Sequence, residues 1–207
     1  MRHEKIFKLV FCSILAALII VMVITGIGYI PIGTIAYITI LTIPVFIGSI
    51  ILGKWYGLIL GTIFGLTSMI YSFILPAGNA PFTNPLVSVL PRAFLGFIVS
   101  VIYEGFCNLF KRKAKIVCAI IAVICGHIIH SGIVLALLYV VMNNGFYFMA
   151  DAYPMFSDQT ILKFVIAGFG VNGLIETGAS IIIVPPICYA LQKVKDKNEN
   201  QLIEEDV

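Results

Sequence analysis

Residues 9–53 read LVFCSILAALIIVMVITGIGYIPIGTIAYITILTIPVFIGSIILG, a stretch without Lys, Arg, Asp, Glu or His. A transmembrane helix needs about 20 consecutive apolar residues, so this stretch is long enough for two spans, with a break at Pro31 to Gly33. The same rule, applied to the whole chain, predicts an all-α membrane protein with six transmembrane helices. The predicted spans are 6–28, 36–53, 56–75, 86–109, 116–142 and 163–191.

The composition agrees with a membrane domain that takes up nearly the whole chain. Sixty per cent of the residues are apolar and 11% are charged, so no segment is large enough for a separate soluble domain. We therefore predict one transmembrane domain at 1–193, followed by a charged cytoplasmic tail at 194–207.

The basic residues predict the orientation. Eleven of the thirteen lie in segments that face the cytoplasm if both termini are inside, as the positive-inside rule favours. They are Arg2, Lys5, Lys8, Lys54, Lys111, Arg112, Lys113, Lys115, Lys193, Lys195 and Lys197. The net charge of +3 then follows from topology, and no nucleic-acid partner is implied.

Polar residues inside the predicted spans and their connections form a candidate substrate site, because a polar group in hydrocarbon has to find a partner. The predicted substrate-binding residues are Thr67, Asn79, Asn84, Arg92, His127, His130, Asn172 and Glu176.

Arg92 is the most informative of them, since it is the only charged residue between Trp55 and Tyr103. The donors of a guanidinium match the two oxygens of a carboxylate, which favours recognition of an anionic ligand. An internal ion pair with Glu176 or Glu104 is the alternative.

His127 and His130 fall on one face of the fifth span. Hydrogen bonds to substrate or to neighbouring helices explain this spacing better than a metal site, because two histidines at i,i+3 are a weak metal signal. The five cysteines are scattered singly, which predicts packing residues rather than metal ligands.

Small residues predict close helix contacts in two places. Gly53, Gly57, Gly61 and Gly65 recur at every fourth position of the third span, which favours packing within the bundle or, alternatively, a surface for a partner. Ser13 and Ala17 form a second small face on the first span, widened by Cys12 and Ala16.

No catalytic motif and no nucleotide-binding loop occurs in the sequence. The chain is therefore predicted not to be an enzyme, to need no cofactor and to be unable to drive transport with ATP alone. Two other classes stay open. One is an autonomous carrier in which Glu176 and a histidine relay protons, although no three-plus-three repeat supports it, and the other is a metal-dependent intramembrane enzyme.

Several segments resemble the substrate-binding S components of energy-coupling factor (ECF) vitamin transporters. They are CSILAAL at 12–18, GYIPIG at 28–33, LTIPVFIG at 41–48, LGKWYGLILG at 52–61, FGLTS at 64–68 and VLPRAFLG at 89–96. The resemblance implies a six-helix protein of the bacterial plasma membrane that binds a vitamin from outside. It also implies a transmembrane T component and two cytoplasmic ATPase subunits as partners, with toppling of the S component during transport.

The resemblance further implies roles for particular residues. The family's alanine-x-x-x-alanine docking motif falls on Ser13 and Ala17, where Ser13 departs from alanine. The segments around Pro44, Thr67 and Arg92 look most like the pantothenate type, in which Arg92 would take the carboxylate. Riboflavin or another vitamin precursor is the alternative substrate.

Overall fold

The computed structural model describes residues 2–32, 36–74, 80–110, 114–144 and 173–194. The elements are α1 (Arg2–Ile24), β1 (Tyr29–Ile32), β2 (Ala36–Thr39), α2 (Thr42–Leu52), α3 (Lys54–Ile74), a 3₁₀ turn (Ala80–Thr83), α4 (Pro85–Ser88), α5 (Leu90–Leu109), α6 (Lys115–Asn144) and α7 (Gly173–Val194). Asn79, Asn172 and the predicted tail after Val194 lie outside the described residues.

The multi-pass helical membrane fold is confirmed. Five helical segments among the described residues are long and apolar enough to cross a membrane, and they correspond to five of the predicted spans. They are Glu4–Ile24, Lys54–Ile74, Pro85–Leu109, Lys115–Val141 and Gly173–Val194. The count of six spans and the cytoplasmic position of both termini stay predictions.

The second predicted span, 36–53, is helical only at Thr42–Leu52. Eleven residues at 1.5 Å per residue extend about 17 Å, which is short of the roughly 30 Å hydrocarbon core. The prediction of helix for residues 36–39 is wrong, because they form β2, which pairs with β1 as an antiparallel hairpin in the register Tyr29↔Thr39. The hairpin satisfies its backbone groups by strand pairing, and its β-branched residues favour strands.

The glycine stripe of α3 packs against α5 within the same chain. A Cβ atom at Gly57 would collide with the carbonyl oxygen of Gly96, and one at Gly65 would lie 2.6 Å from the Cα of Val89. The fourth member, Gly53, has a different role. It ends α2 with a φ of 98°, a conformation that favours glycine.

The buried core lies between α1, α2, α3, α5, α6 and α7 and is built from aliphatic and aromatic side chains with several thiols. Four of the five cysteines are buried and Cys125 is half-buried, and all five are free. These positions agree with the predicted packing role of the cysteines.

Candidate functional site

Four residues from four different helices mark one level of the bundle, which we call the floor: Phe46, Leu95, His127 and Ser180. The rings of Phe46 and His127 lie 4.8 Å apart, and His127 Nε2 lies 3.0 Å from Ser180 Oγ. A Cβ atom at Gly126 would lie 3.0 Å from the Phe46 ring and 3.5 Å from Leu95. The floor therefore joins α2, α5, α6 and α7 at the same depth.

One helical turn from the floor, on the side of the hairpin, the same four helices carry polar residues, which we call the polar level: Thr42, Arg92, His130 and Glu176. A helical turn is 3.6 residues. The polar residue comes three or four residues before the floor residue on α2, α5 and α7, and three residues after it on α6, which runs in the opposite direction. All four polar residues therefore lie at a common height. One contact supports this alignment directly, since His130 Nδ1 donates to the Pro91 carbonyl oxygen at 3.3 Å.

Arg92 is held in a fixed orientation at the polar level, with only 9% of its surface exposed. Its Nη1 donates to the carbonyl oxygens of Val87 at 2.6 Å and Ser88 at 3.0 Å. The guanidinium carbon lies 5.6 Å from the ring centre of Phe64 and 5.1 Å from that of Phe82, within the range of cation–π attraction. Its Nε is buried and has no hydrogen-bond partner in the part of the chain that the structure describes, so this edge of the fork is available to a ligand.

The alternative of an internal ion pair for Arg92 is not supported. Glu176 interacts with Arg92 electrostatically, but the ion pair found within the described ranges is the one between Lys8 and Glu4. Glu104 is exposed at the other end of α5. The charge of Arg92 is therefore not neutralised by direct contact with a described carboxylate.

The hairpin lies over this end of the bundle and contacts it on two sides, at α3 and at α7. The Tyr29 hydroxyl donates to Ser68 Oγ at 3.1 Å, and its ring stacks on Tyr71 at 4.9 Å. The backbone N–H of Thr39 donates to Glu176 Oε1 at 2.6 Å. Burial raises the pKa of Tyr29, so its hydroxyl keeps its proton at neutral pH. The hairpin thus connects α3 to α7 across the polar level.

Two of the predicted substrate-binding residues have local bonds in the structure. Thr67 Oγ1 donates to the carbonyl oxygens of Ile63 at 2.8 Å and Phe64 at 3.1 Å, within its own helix. Asn84 precedes α4, and its Oδ1 accepts the N–H of Leu86 at 2.9 Å, which is an N-cap interaction.

The structure brings Arg92, His130 and Glu176 together at the polar level and sets His127 one turn deeper, in the floor. Sequence reasoning missed Tyr29, Ser68 and the backbone of Thr39 as parts of this region. The signal for Tyr29 was its position just before the break at Pro31, where a chain that returns over a bundle places an aromatic side chain at the interface.

The structure gives no support to a metal site among the residues it describes. Those ranges hold no group of three or more His, Cys, Asp or Glu side chains that could bind an ion. The histidines instead bond to Ser180 and to the Pro91 carbonyl oxygen, as the hydrogen-bonding interpretation expects.

Ser13 and Ala17 lie exposed on the outer face of α1. The Ser13 hydroxyl donates to the Leu9 carbonyl oxygen at 2.9 Å, so it is satisfied within the helix. Cys12 is buried and Ala16 packs against the core. Cys12 therefore turns inward and does not widen this face, which corrects the prediction.

Comparison with known proteins identifies one family. The model of the ECF transporter substrate-specific component matches residues 7–188. A search of curated proteins gives no significant match.

Proposed function

Since the chain belongs to the family of ECF transporter substrate-specific components, we propose that it captures a carboxylate-bearing vitamin, pantothenate, at the hairpin end of the bundle. Members of this family are transport proteins and not enzymes. The proposed partners are a transmembrane T component and two cytoplasmic ATPase subunits, which supply the energy that a chain without a nucleotide site cannot supply.

The observation that carries the substrate class is the free Nε edge of Arg92. Nη1 is already held by two carbonyl oxygens and the ring contacts fix the guanidinium plane, so the group is preorganised. A buried donor without a partner is unfavourable, and a ligand carboxylate would satisfy it with a charge-assisted bond.

The other polar groups fit the remainder of pantothenate, which has hydroxyls and an amide. His130 and Glu176 stand at the same level as Arg92 and offer hydrogen-bonding atoms to such groups. Asn79 and Asn172 are proposed as further contacts on the strength of their polar character in apolar surroundings.

Docking to the energising module is proposed for the face of α1 formed by Ser13 and Ala17. Both residues are small and exposed, and small residues let the backbones of two membrane helices approach closely. No side chain of the polar level lies on this face, so binding and docking use separate surfaces.

The test is a calorimetric binding panel on the purified chain in detergent, with pantothenate, riboflavin, thiamine, biotin, folate and pyridoxine, repeated on Arg92→Ala. We expect one pantothenate per chain without ATP and a loss of about 2 to 5 kcal/mol in the variant, because truncation leaves a desolvated carboxylate unpaired. Thermal unfolding without ligand serves as the control for folding.

The same panel separates pantothenate from riboflavin, which has no carboxylate. Tight binding of riboflavin that Arg92→Ala leaves unchanged would refute the carboxylate assignment and keep the family function. Binding of none of the six would count against the proposed function as a whole.

A further inference from the structure

Thr42 is a second polar group at the polar level whose side chain has no hydrogen-bond partner among the residues that the structure describes. It is the first residue of α2 and is 2% exposed. Its Oγ1 is buried and makes no hydrogen bond within the described residues. Burial of a hydroxyl without a hydrogen bond is unfavourable, so the unpaired Thr42 hydroxyl needs an explanation.

Other threonines in helices or directly after one do not leave their hydroxyls unpaired. Thr25, Thr62, Thr67 and Thr177 each donate to the carbonyl oxygen four residues earlier, at 2.6 to 2.8 Å. This bond back to the preceding turn is the usual solution for a threonine in an apolar helix. Thr42 therefore differs from the threonines that serve only to complete a helix.

The hairpin prevents Thr42 from using that solution. The residue four positions earlier is Ile38, which belongs to β2 and pairs with Ile30 of β1. No preceding helical turn exists to accept the hydroxyl proton. The side chain is also β-branched, so its rotamers are few and the hydroxyl direction is set by the backbone.

The floor contacts indicate where Thr42 stands. Phe46 lies one turn deeper on α2 and contacts the His127 ring, while Arg92 and His130 lie one turn above the same floor on α5 and α6. Three residues before Thr42, the backbone of Thr39 is bonded to Glu176. Thr42 is thus at the height of Arg92, on a neighbouring helix that packs against α5.

We propose that Thr42 is a specificity-determining residue, whose hydroxyl bonds a neutral hydroxyl or amide group of the ligand that Arg92 holds by its carboxylate. The inference rests on the proposed function. Helices in contact have axes about 8 to 10 Å apart. The Arg92 guanidinium and the Thr42 hydroxyl together therefore select a ligand with a carboxylate at one end and a neutral polar group several bonds away. A carboxylate alone would satisfy Arg92 and leave Thr42 unpaired.

The experiment compares Thr42→Val, Thr42→Ser and the wild-type chain by calorimetry with pantothenate, and by thermal unfolding without ligand. Valine keeps the shape and removes the hydroxyl, whereas serine keeps the hydroxyl. We expect Thr42→Val to bind pantothenate about threefold to tenfold more weakly, the range of one neutral hydrogen bond, and Thr42→Ser to bind like the wild type. Deoxy analogues of pantothenate then identify the contacted group, since the analogue that lacks it should bind both chains equally.

Thr62→Val is the matched control. Thr62 is a half-buried threonine on α3 whose hydroxyl donates to the Leu58 carbonyl oxygen at 2.8 Å, so its replacement should leave pantothenate affinity unchanged. In the absence of ligand, Thr42→Val should unfold at the same temperature as the wild type or higher, because it removes an unpaired buried hydroxyl.

Two results would refute this inference and leave the proposed function standing. Unchanged affinity of Thr42→Val for a vitamin that the wild type binds would show that the hydroxyl does not touch the ligand. A lower unfolding temperature of ligand-free Thr42→Val would show that the hydroxyl is bonded inside the protein. Failure of the wild-type chain to bind any vitamin of the panel would instead refute the proposed function, and the inference with it.

Discussion

Gly61 packs against the backbone of Arg92, the proposed ligand-binding residue, and Gly61→Ala is predicted to lower both stability and ligand affinity. A Cβ atom at Gly61 would collide with the carbonyl oxygen of Arg92 and lie 2.8 Å from its carbonyl carbon and 3.0 Å from the Cα of Ala93. Carbon atoms in favourable contact are about 3.5 to 4.0 Å apart. The neighbours are backbone atoms, so α3 and α5 must move apart by roughly 1 Å.

The magnitude follows from this overlap. Overpacking a tight contact costs about 1 to 3 kcal/mol, which corresponds to about 2 to 12 °C in the unfolding temperature of a chain of this size. Displacement of the Arg92 backbone by a similar distance would break a charge-assisted hydrogen bond, worth about 1.5 to 3 kcal/mol. We therefore expect pantothenate to bind about tenfold to a hundredfold more weakly.

The assay combines thermal unfolding by circular dichroism with calorimetry on the same detergent preparation. Gly105→Ala is the matched control, because Gly105 lies on α5 and a Cβ atom there meets nothing within 4 Å. Alanine is the better helix former, so this variant should be as stable as the wild type or more stable, with unchanged affinity.

A Gly61→Ala chain that unfolds and binds like the Gly105→Ala chain would refute the reasoning, because it would mean that α3 and α5 are not in backbone contact beside Arg92. Lower stability with full affinity would refute only the link between this contact and the site.

Two further predictions concern docking and the floor. Ala17→Leu should leave vitamin binding intact and abolish uptake by the complete transporter, because it places a bulky side chain on the exposed, proposed docking face of α1. Loss of both in parallel binding and uptake assays would indicate misfolding instead. His127→Phe should lower stability by about 1 to 3 kcal/mol, since it leaves the Ser180 hydroxyl unpaired in the core. The double variant with Ser180→Ala should recover part of that loss in thermal unfolding, and additive losses would show that the two side chains do not interact.

Hydropathy predicts the long helices well because the hydrocarbon core imposes their length and composition directly. It does not separate a strand from a helix in a short apolar run, which is why hydropathy alone predicts residues 36–39 as part of the second span. Nothing in the charge-free stretch marks the change from β2 to α2. Residues 36–39 form a strand because β2 pairs with β1, for example Thr39 with Tyr29, and hydropathy does not register such a pairing.

Sequence spacing predicts only part of the candidate site, because it describes one helix at a time. Spacing within one helix places His127 and His130 on a common face, but it does not say which helices meet that face. Asn84 and Thr67 show a second limitation of the sequence prediction. A polar side chain in an apolar segment can form its hydrogen bond locally, as a helix cap or with the backbone of its own helix, and is then not needed to explain a ligand site. Thr42 escaped notice because threonine is common in helices, and only the preceding hairpin makes its hydroxyl exceptional.

The bonds from Arg92 to Val87 and Ser88 have a consequence for biogenesis. Both acceptors come from the five residues just before the arginine, so these bonds can form within a single segment as it leaves the translocon. An arginine opposes insertion by about 2.5 to 3.5 kcal/mol at the centre of a helix and by less near an end. Arg92 lies near the start of α5, and local solvation by the backbone just before it reduces the remaining cost before any other helix has arrived. We therefore expect Arg92 to enter the lipid already partly coordinated, so that its orientation does not depend on assembly of the bundle.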